Sequence, residues 1–337
     1  MHDRHRRFGT TEMYVSPVGL GTSALGGGDW ALGWGEQDDT TSVATICHAV
    51  EHGVNWLDTA AMYGYGRSEH VVGTALRAFS DADRPYVFTK CGIGWDPDDR
   101  AAAPFSDCSP DAIRRSLDGS LQRLGLERVD LLQVHWPSAD GTALEDYWGA
   151  LLELRSAGKI RAAGLSNHGP TRVRIAEELG HVDSLQPPFS AIKRGAAAEL
   201  IPLCRSNGTA VVAYSPMEGG LLSGAFSAER AASLADDDQR RHLPEYTTRL
   251  DESLAVQAVL ERVAERRGAG TPAVALAWTL AFDGVTGAIA GARTPAQAEG
   301  WLAALEIELS DDELDEIGAE IERVGAGDGP VRPPRDQ

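Results

Sequence analysis

Short apolar runs alternate with amphipathic stretches along nearly the whole chain, and the alternation repeats about eight times. Residues 18–21, 55–58, 86–90, 129–135, 159–165, 184–186, 210–214 and 286–290 read as strands. Helices are expected over 38–52, 68–77, 109–124, 143–157, 171–179, 195–207, 254–267, 272–282 and 295–305. The third helix starts well, with Ser109 at the cap, Pro110 in the first helical position and Asp111 in the first turn. Runs such as Val129-Asp130-Leu131-Leu132 and Ala210-Val211-Val212-Ala213 lack clean polar alternation, as parallel strands covered on both faces do. The pattern predicts an α/β protein, a (β/α)₈ TIM barrel with an N-terminal hairpin and an extra C-terminal helix. A doubly wound sheet is the rival, but no GxGxxG turn follows the first strand, and Gly26-Gly27-Gly28 is a weak phosphate signal. The long, acidic, poorly periodic segment 228–246 is expected to be a loop after the seventh strand, of the kind that serves as a lid. Residues 13–324 then form one domain, with a flexible segment at 1–12 and a flexible tail at 325–337.

Composition narrows the class of protein. The hydrophobic share of 42% and charged share of 24% are those of a globular chain. A net charge of −19 argues against nucleic acid, since only the opening Arg4-His5-Arg6-Arg7 could meet phosphates. That opening lacks the apolar stretch of a signal peptide and reads as a solvated tag, and no run reaches the length of a membrane span. Cys47, Cys91, Cys108 and Cys204 are scattered without a CxxC pair, as reduced thiols of a cytoplasmic protein are. Any anionic cofactor must find its positive charge locally.

In a barrel, reactive groups sit at the C-terminal ends of the strands. Asp58 stands there after the second strand, Tyr63 in the loop beyond it, Lys90 at the end of the third and His135 at the end of the fourth. Taken singly, these are a loop cap, a packing ring, a solvated lysine and a core histidine. Taken in order around one mouth they form a proton-delivery site. A lysine beside a tyrosine stabilises its phenolate, a carboxylate fixes the lysine, and a histidine orients a carbonyl oxygen.

The stretches Trp56-Leu57-Asp58-Thr59-Ala60-Ala61-Met62-Tyr63-Gly64-Tyr65-Gly66-Arg67-Ser68-Glu69, Phe88-Thr89-Lys90 and Gln133-Val134-His135-Trp136-Pro137 resemble the aldo-keto reductase superfamily. So does Gly158-Lys159-Ile160-Arg161 leading to Gly164-Leu165-Ser166-Asn167-His168. Gln186-Pro187-Pro188-Phe189 and the tryptophan-rich loop near 27–35 are most similar to the bacterial inositol-operon and general-stress branch. The resemblance implies a catalytic tetrad of Asp58, Tyr63, Lys90 and His135, with no metal. It implies NADPH or NADP⁺ as cofactor, with NADH an open alternative. Ser166, Asn167 and Gln186 would hold the nicotinamide amide, with Tyr214 against the ring. Ser215, Pro216, Met217, Gly220, Leu221 and Ser223 would cover the pyrophosphate. Gly291 and Arg293 would meet the adenosine 2′-phosphate, and Gly21, Thr22 and Gln297 complete the set. Gly300 and Trp301 depart from the Glu-Asn expected near the adenine, and His168 stands where an aromatic ring is common.

Trp30, Trp34, Trp95 and Trp136 are candidates for an aromatic substrate wall. Arg240 and Arg241 are candidate latches for the lid, beside the acidic run Asp236-Asp237-Asp238. The remaining barrel histidines, His48 and His52 among them, read as structural. The expected activity is reduction of small aldehydes or ketones by a monomer or weak homo-oligomer. An NAD(P)-linked sugar or polyol dehydrogenase on the same tetrad, and a cofactor-sensing binding subunit, stay open as alternatives.

Overall fold

A computed structural model describes residues 4–236 and 238–334. The ends of the two segments expected to be flexible, residues 1–3 and 335–337, lie outside the described residues, as does Asp237 of the acidic run. Eight parallel strands close into a barrel in chain order: β1 (Val18–Gly21), β2 (Trp56–Asp58), β3 (Tyr86–Cys91), β4 (Val129–Val134), β5 (Ile160–Ser166), β6 (Ser184–Gln186), β7 (Ala210–Ala213) and β8 (Val285–Gly291). The seam is a parallel pairing of β8 with β1, Ala288 opposite Val18 and Gly291 opposite Gly21.

Alternation of side chains along the strands sorts the barrel interior into layers. The lower layer is apolar: Trp56, Phe88, Leu131, Ala162 and Val212 form one buried cluster. Gly19 makes room for it, because a Cβ there would lie 2.2 Å from the Trp56 ring. Two residues further along the same strands, the inward positions are Asp58, Lys90, Gln133 and Gln186, all buried. The intervening positions, among them Leu57, Val87, Leu132, Val134 and Leu185, face outward into the larger core shared with the helices.

Around the barrel run α1 (Asp39–Glu51), α2 (Arg67–Leu76), α3 (Pro110–Leu124), α4 (Leu144–Ser156), α5 (Pro170–Leu179) and α6 (Leu200–Asn207). A short helix α7 (Ala228–Ala232), capped by Ser227 and lying in the segment expected to be a loop, precedes α8 (Leu250–Arg267), α9 (Thr271–Leu280), α10 (Pro295–Leu302) and the extra C-terminal helix α11 (Asp311–Val324). Ser109 caps α3 by accepting from Ala112 N, and Gly125 ends it with φ 69°. The helix expected over 195–207 is instead a 3₁₀ turn at Gly195–Ala197 followed by α6. Pro202 explains the break: it fits the first turn of α6, where its missing N–H has no intrahelical partner, and not a helix interior.

The described residues of the two segments expected to be flexible are tied down. Arg6–Arg7 pairs antiparallel with Tyr14–Val15, so the hairpin begins inside the segment read as a solvated tag. Phe8 is fully buried, its ring 5.0 Å from that of Phe88, and closes the N-terminal end of the barrel. Beyond α11, Ala326 is buried, Arg194 donates to the carbonyls of Gly327 and Gly329, and Arg332 pairs with Asp311 at 3.2 Å. The described part of the tail thus packs on the barrel, held by carbonyl contacts that a Gly/Pro-rich composition does not announce. No helix among the described residues is long and apolar enough to cross a membrane.

Candidate active site

The polar upper layer converges on Lys90. Its Nζ donates to Asp58 Oδ1 at 2.5 Å, to the Thr59 carbonyl at 2.9 Å and to Tyr63 Oη at 3.4 Å. The His135 ring lies edge-on to Tyr63, with centroids 5.7 Å apart. The structure therefore brings together all four residues expected at the second to fourth strand ends. Strand order accounts for this: β2, β3 and β4 are neighbours, with Asp58 opposite Phe88 and Lys90, two residues on and on the same face as Phe88, opposite Gln133.

Burial dominates the protonation states. It raises the Tyr63 phenol above its usual range, and the Lys90 charge opposes this without overcoming it. Burial alone would lower the Lys90 ammonium, but Asp58 and then Tyr63 outweigh it and hold the group above its usual value. His135 is driven well below the ordinary histidine range by burial and then by the Lys90 charge, so it is neutral at pH 7. A neutral phenol is thus poised 3.4 Å from a fixed ammonium.

Gln186 also turns toward the tetrad. Its Nε2 donates to Asp58 Oδ2 at 2.8 Å and lies 3.5 Å from Gln133 Oε1, so its amide faces the tetrad. A buried carboxylate with one oxygen on Lys90 needs a donor for the other, and Gln186 supplies it. Gln133, which the sequence reading passed over, is buried with Nε2 unpartnered. Gly164 leaves space for it, since a Cβ there would sit 3.0 Å from Gln133 Cγ. Its inward position two residues before His135 was the available signal. Thr22 supports Asp58 from behind, donating from N and Oγ1 to the Asp58 carbonyl. Gly21 is packed against Ile289.

At the ends of β5 to β7, Asn167 is the hub. With φ 62° it projects its amide between strands: Nδ2 donates to the His135 carbonyl at 3.0 Å, and Oδ1 accepts from Tyr214 Oη at 2.8 Å. Ser166 Oγ donates to the Gln186 carbonyl at 3.0 Å. His168 is buried; its Nδ1 donates to the Ser166 carbonyl at 2.8 Å, leaving Nε2 to accept from Tyr147 Oη at 2.9 Å. It is thus a hydrogen-bonded clamp on this loop as well as a packing residue.

The segment after β7 is a run of tight turns, with Ser215 at φ 55° and Glu218 at φ 45°. Pro216 and Leu221 are buried beneath it, Met217 packs on the core, and Ser223 Oγ donates to the Gly220 carbonyl at 2.6 Å. The 228–246 segment folds onto this turn. Tyr246 Oη donates to the Glu218 carbonyl, and Arg240 donates to the Gly219 carbonyl at 3.0 Å with its guanidinium 5.8 Å over the Trp34 ring. Arg241 instead pairs with Asp236 and the Leu234 carbonyl, away from the turn.

Arg293, at the start of α10, does not stand open. Its Nε donates to Gln37 Oε1 at 3.0 Å and its Nη2 to the Glu36 carbonyl, while Gln37 Nε2 returns a bond to the Arg293 carbonyl at 2.9 Å. Gln297 accepts from Arg293 N, and Gly291 has open space around it. Gln37 is a further residue that the sequence reading missed. Trp301 is buried, so it presents no ring to a ligand.

The tryptophans divide. Trp30 is buried against Ala60 and Met62, beside Tyr63, and Trp95 stacks on Tyr65 at 5.4 Å. Trp34 and Trp136 are 42% and 48% exposed. Cys91 is buried with its thiol pushed far up by desolvation, which removes any thiolate reactivity at neutral pH.

Comparison with known proteins gives the family. Residues 17–322 match the Aldo/keto reductase family. The chain is 35% identical over 319 residues to the NADH-specific methylglyoxal reductase of Escherichia coli K12, covering 90% of this chain and 94% of that protein. It is 31% identical to the aldo-keto reductase YhdN of Bacillus subtilis over 85% of this chain and 86% of that one. The structure of a glycerol dehydrogenase from Gluconobacter oxydans superposes with a TM-score of 0.87 at 33% identity, over 100% of both chains. These relatives are oxidoreductases, and this protein belongs with them to the aldo/keto reductase family.

Proposed function

We propose that the protein reduces small aldehydes or ketones to alcohols with a nicotinamide dinucleotide, NADPH in the first reading, and that Tyr63 is the proton donor. The observation that carries this is the buried Lys90 ammonium, held by Asp58 at 2.5 Å and within 3.4 Å of the Tyr63 hydroxyl. The strand ends suit such a cofactor. Asn167, Ser166 and Tyr214 carry amide and hydroxyl groups, the left-handed Ser215 and Glu218 shape a tight turn beside them, and Arg293 stands at a helix N-terminus.

A bound reduced nicotinamide would supply the hydride to the carbonyl carbon. Tyr63 Oη would give its proton to the carbonyl oxygen, and Lys90 would stabilise the phenolate left behind. Asp58 keeps Lys90 in place, itself held by Gln186. The neutral His135 would donate a ring N–H to the same oxygen and set its direction. Trp30, Met62 and Trp95 would shield the reacting carbon from water.

A second reading, with NADH preferred, is favoured by the engagement of Arg293 with Glu36 and Gln37, and an NADH-specific relative supports it. Binding titrations with both cofactors, followed by steady-state rates on methylglyoxal, glyceraldehyde and nitrobenzaldehydes, test the proposal. Arg293→Ala should weaken NADPH binding selectively; equal losses for NADPH and NADH would remove the phosphate role and leave the second reading. Tight cofactor binding with no turnover on any of these carbonyls, in either direction, would count against the reductase assignment as a whole.

A further inference from the structure

We propose that His48, His52 and Glu299 form a surface site for one divalent transition-metal ion of the zinc type, clipping α1 to α10. The site lies on the outer helix ring and is independent of the reductase reading.

His48 lies in the last turn of α1 and His52, four residues on, is its C-cap, so both rings stand at the same end of the helix. Their rings lie 4.2 Å apart between centroids. Glu299 reaches across from α10, with Oε2 3.0 Å from His48 Nε2. One ligand-capable atom from each of the three residues lies within 4.8 Å of the others. A tetrahedral ion with bonds of about 2.0–2.2 Å holds its donor atoms about 3.4 Å apart, so closure needs shifts of about an ångström. His52 and Glu299 are exposed and His48 is half-buried, so the first two have room for such rotations.

The second layer of contacts favours ligation. His52 Nδ1 lies 2.7 Å from the His48 carbonyl oxygen, which can only accept, so in the neutral ring Nδ1 carries the proton and Nε2 is the lone-pair nitrogen. A backbone carbonyl on the non-ligating nitrogen is the arrangement that orients metal-bound histidines. Two imidazoles and one carboxylate select zinc, nickel or copper over magnesium or calcium, which prefer all-oxygen shells. Water would complete the shell on the exposed side.

Chelator-treated, tag-free protein titrated calorimetrically with Zn²⁺, and separately with Mg²⁺, tests this. The parent should bind one equivalent of Zn²⁺ and melt at a higher temperature with it, while Mg²⁺ does neither. His52→Gln and Glu299→Gln should each weaken Zn²⁺ binding at least about tenfold, the lower end of what even an outer-shell change costs. His70→Gln, at an exposed histidine on α2, should leave it unchanged. No bound equivalent in the parent, or undiminished affinity in both His52→Gln and Glu299→Gln, overturns the site.

Discussion

Tyr63 and His135 are pushed in opposite directions by the same burial. The phenol is raised and stays protonated beyond its ordinary range, while the imidazole is lowered and stays neutral. The working forms of both therefore persist over a wide window. Turnover in the reducing direction should show no break as pH falls through about 6.5, and none as it rises toward about 10. A pH profile of kcat checks this, and an acid limb centred near the ordinary histidine value would contradict the burial of His135. His168 makes a separate prediction. It joins the Ser166 carbonyl to the Tyr147 hydroxyl, so His168→Phe leaves a buried hydroxyl unpaired and should cost about 1–3 kcal/mol in denaturant unfolding. The proposed tetrad was legible in the sequence because each member closes a strand or opens the next loop, where a barrel's chemistry is expected. Gln186 turning to Asp58 was not, because the direction of an amide follows from the lone pairs left over around a buried carboxylate.

At the scale of elements, the barrel strands were legible as apolar runs, and α3 by its Ser109 cap. The misses have local causes. Pro202 moves a helix start by a turn, and the 228–246 segment is held by long-range contacts of Arg240 and Tyr246, which no periodicity reports. The C-terminal helix shows how one residue fastens an element. Glu313 closes a capping box with Ser310 and pairs with Arg267 of α8. Hydrogen bonding from Arg267, then from Ser310, holds its carboxyl down to about 2. A depressed carboxylate stabilises the fold above its unfolded value of about 4.3, and that contribution is lost as pH falls from there through about 2. The stability gap between the parent and Glu313→Gln should shrink over that window; a gap that stays constant would contradict the linkage. Ser310→Ala should cost about 1 kcal/mol at neutral pH.

Over the whole molecule, the Phe8 plug and the proposed chemistry sit at opposite ends of one barrel. Phe8 plugs the N-terminal end against Phe88 and Trp56, and the tetrad opens at the other. Phe8→Ala should therefore lower stability by about 3–5 kcal/mol. It should leave kcat intact below the lowered melting temperature; a matching loss of kcat would mean the two ends are coupled. Such a plug is hard to read in sequence, because it is a single apolar residue among charged ones. The proton-donor role of Tyr63 is tested most directly by Tyr63→Phe, with turnover and cofactor affinity measured on the same preparation. The expected result is a fall in kcat of about 10²–10⁴-fold with the cofactor dissociation constant unchanged. Turnover that survives the loss of the hydroxyl would contradict the assignment of Tyr63 as proton donor.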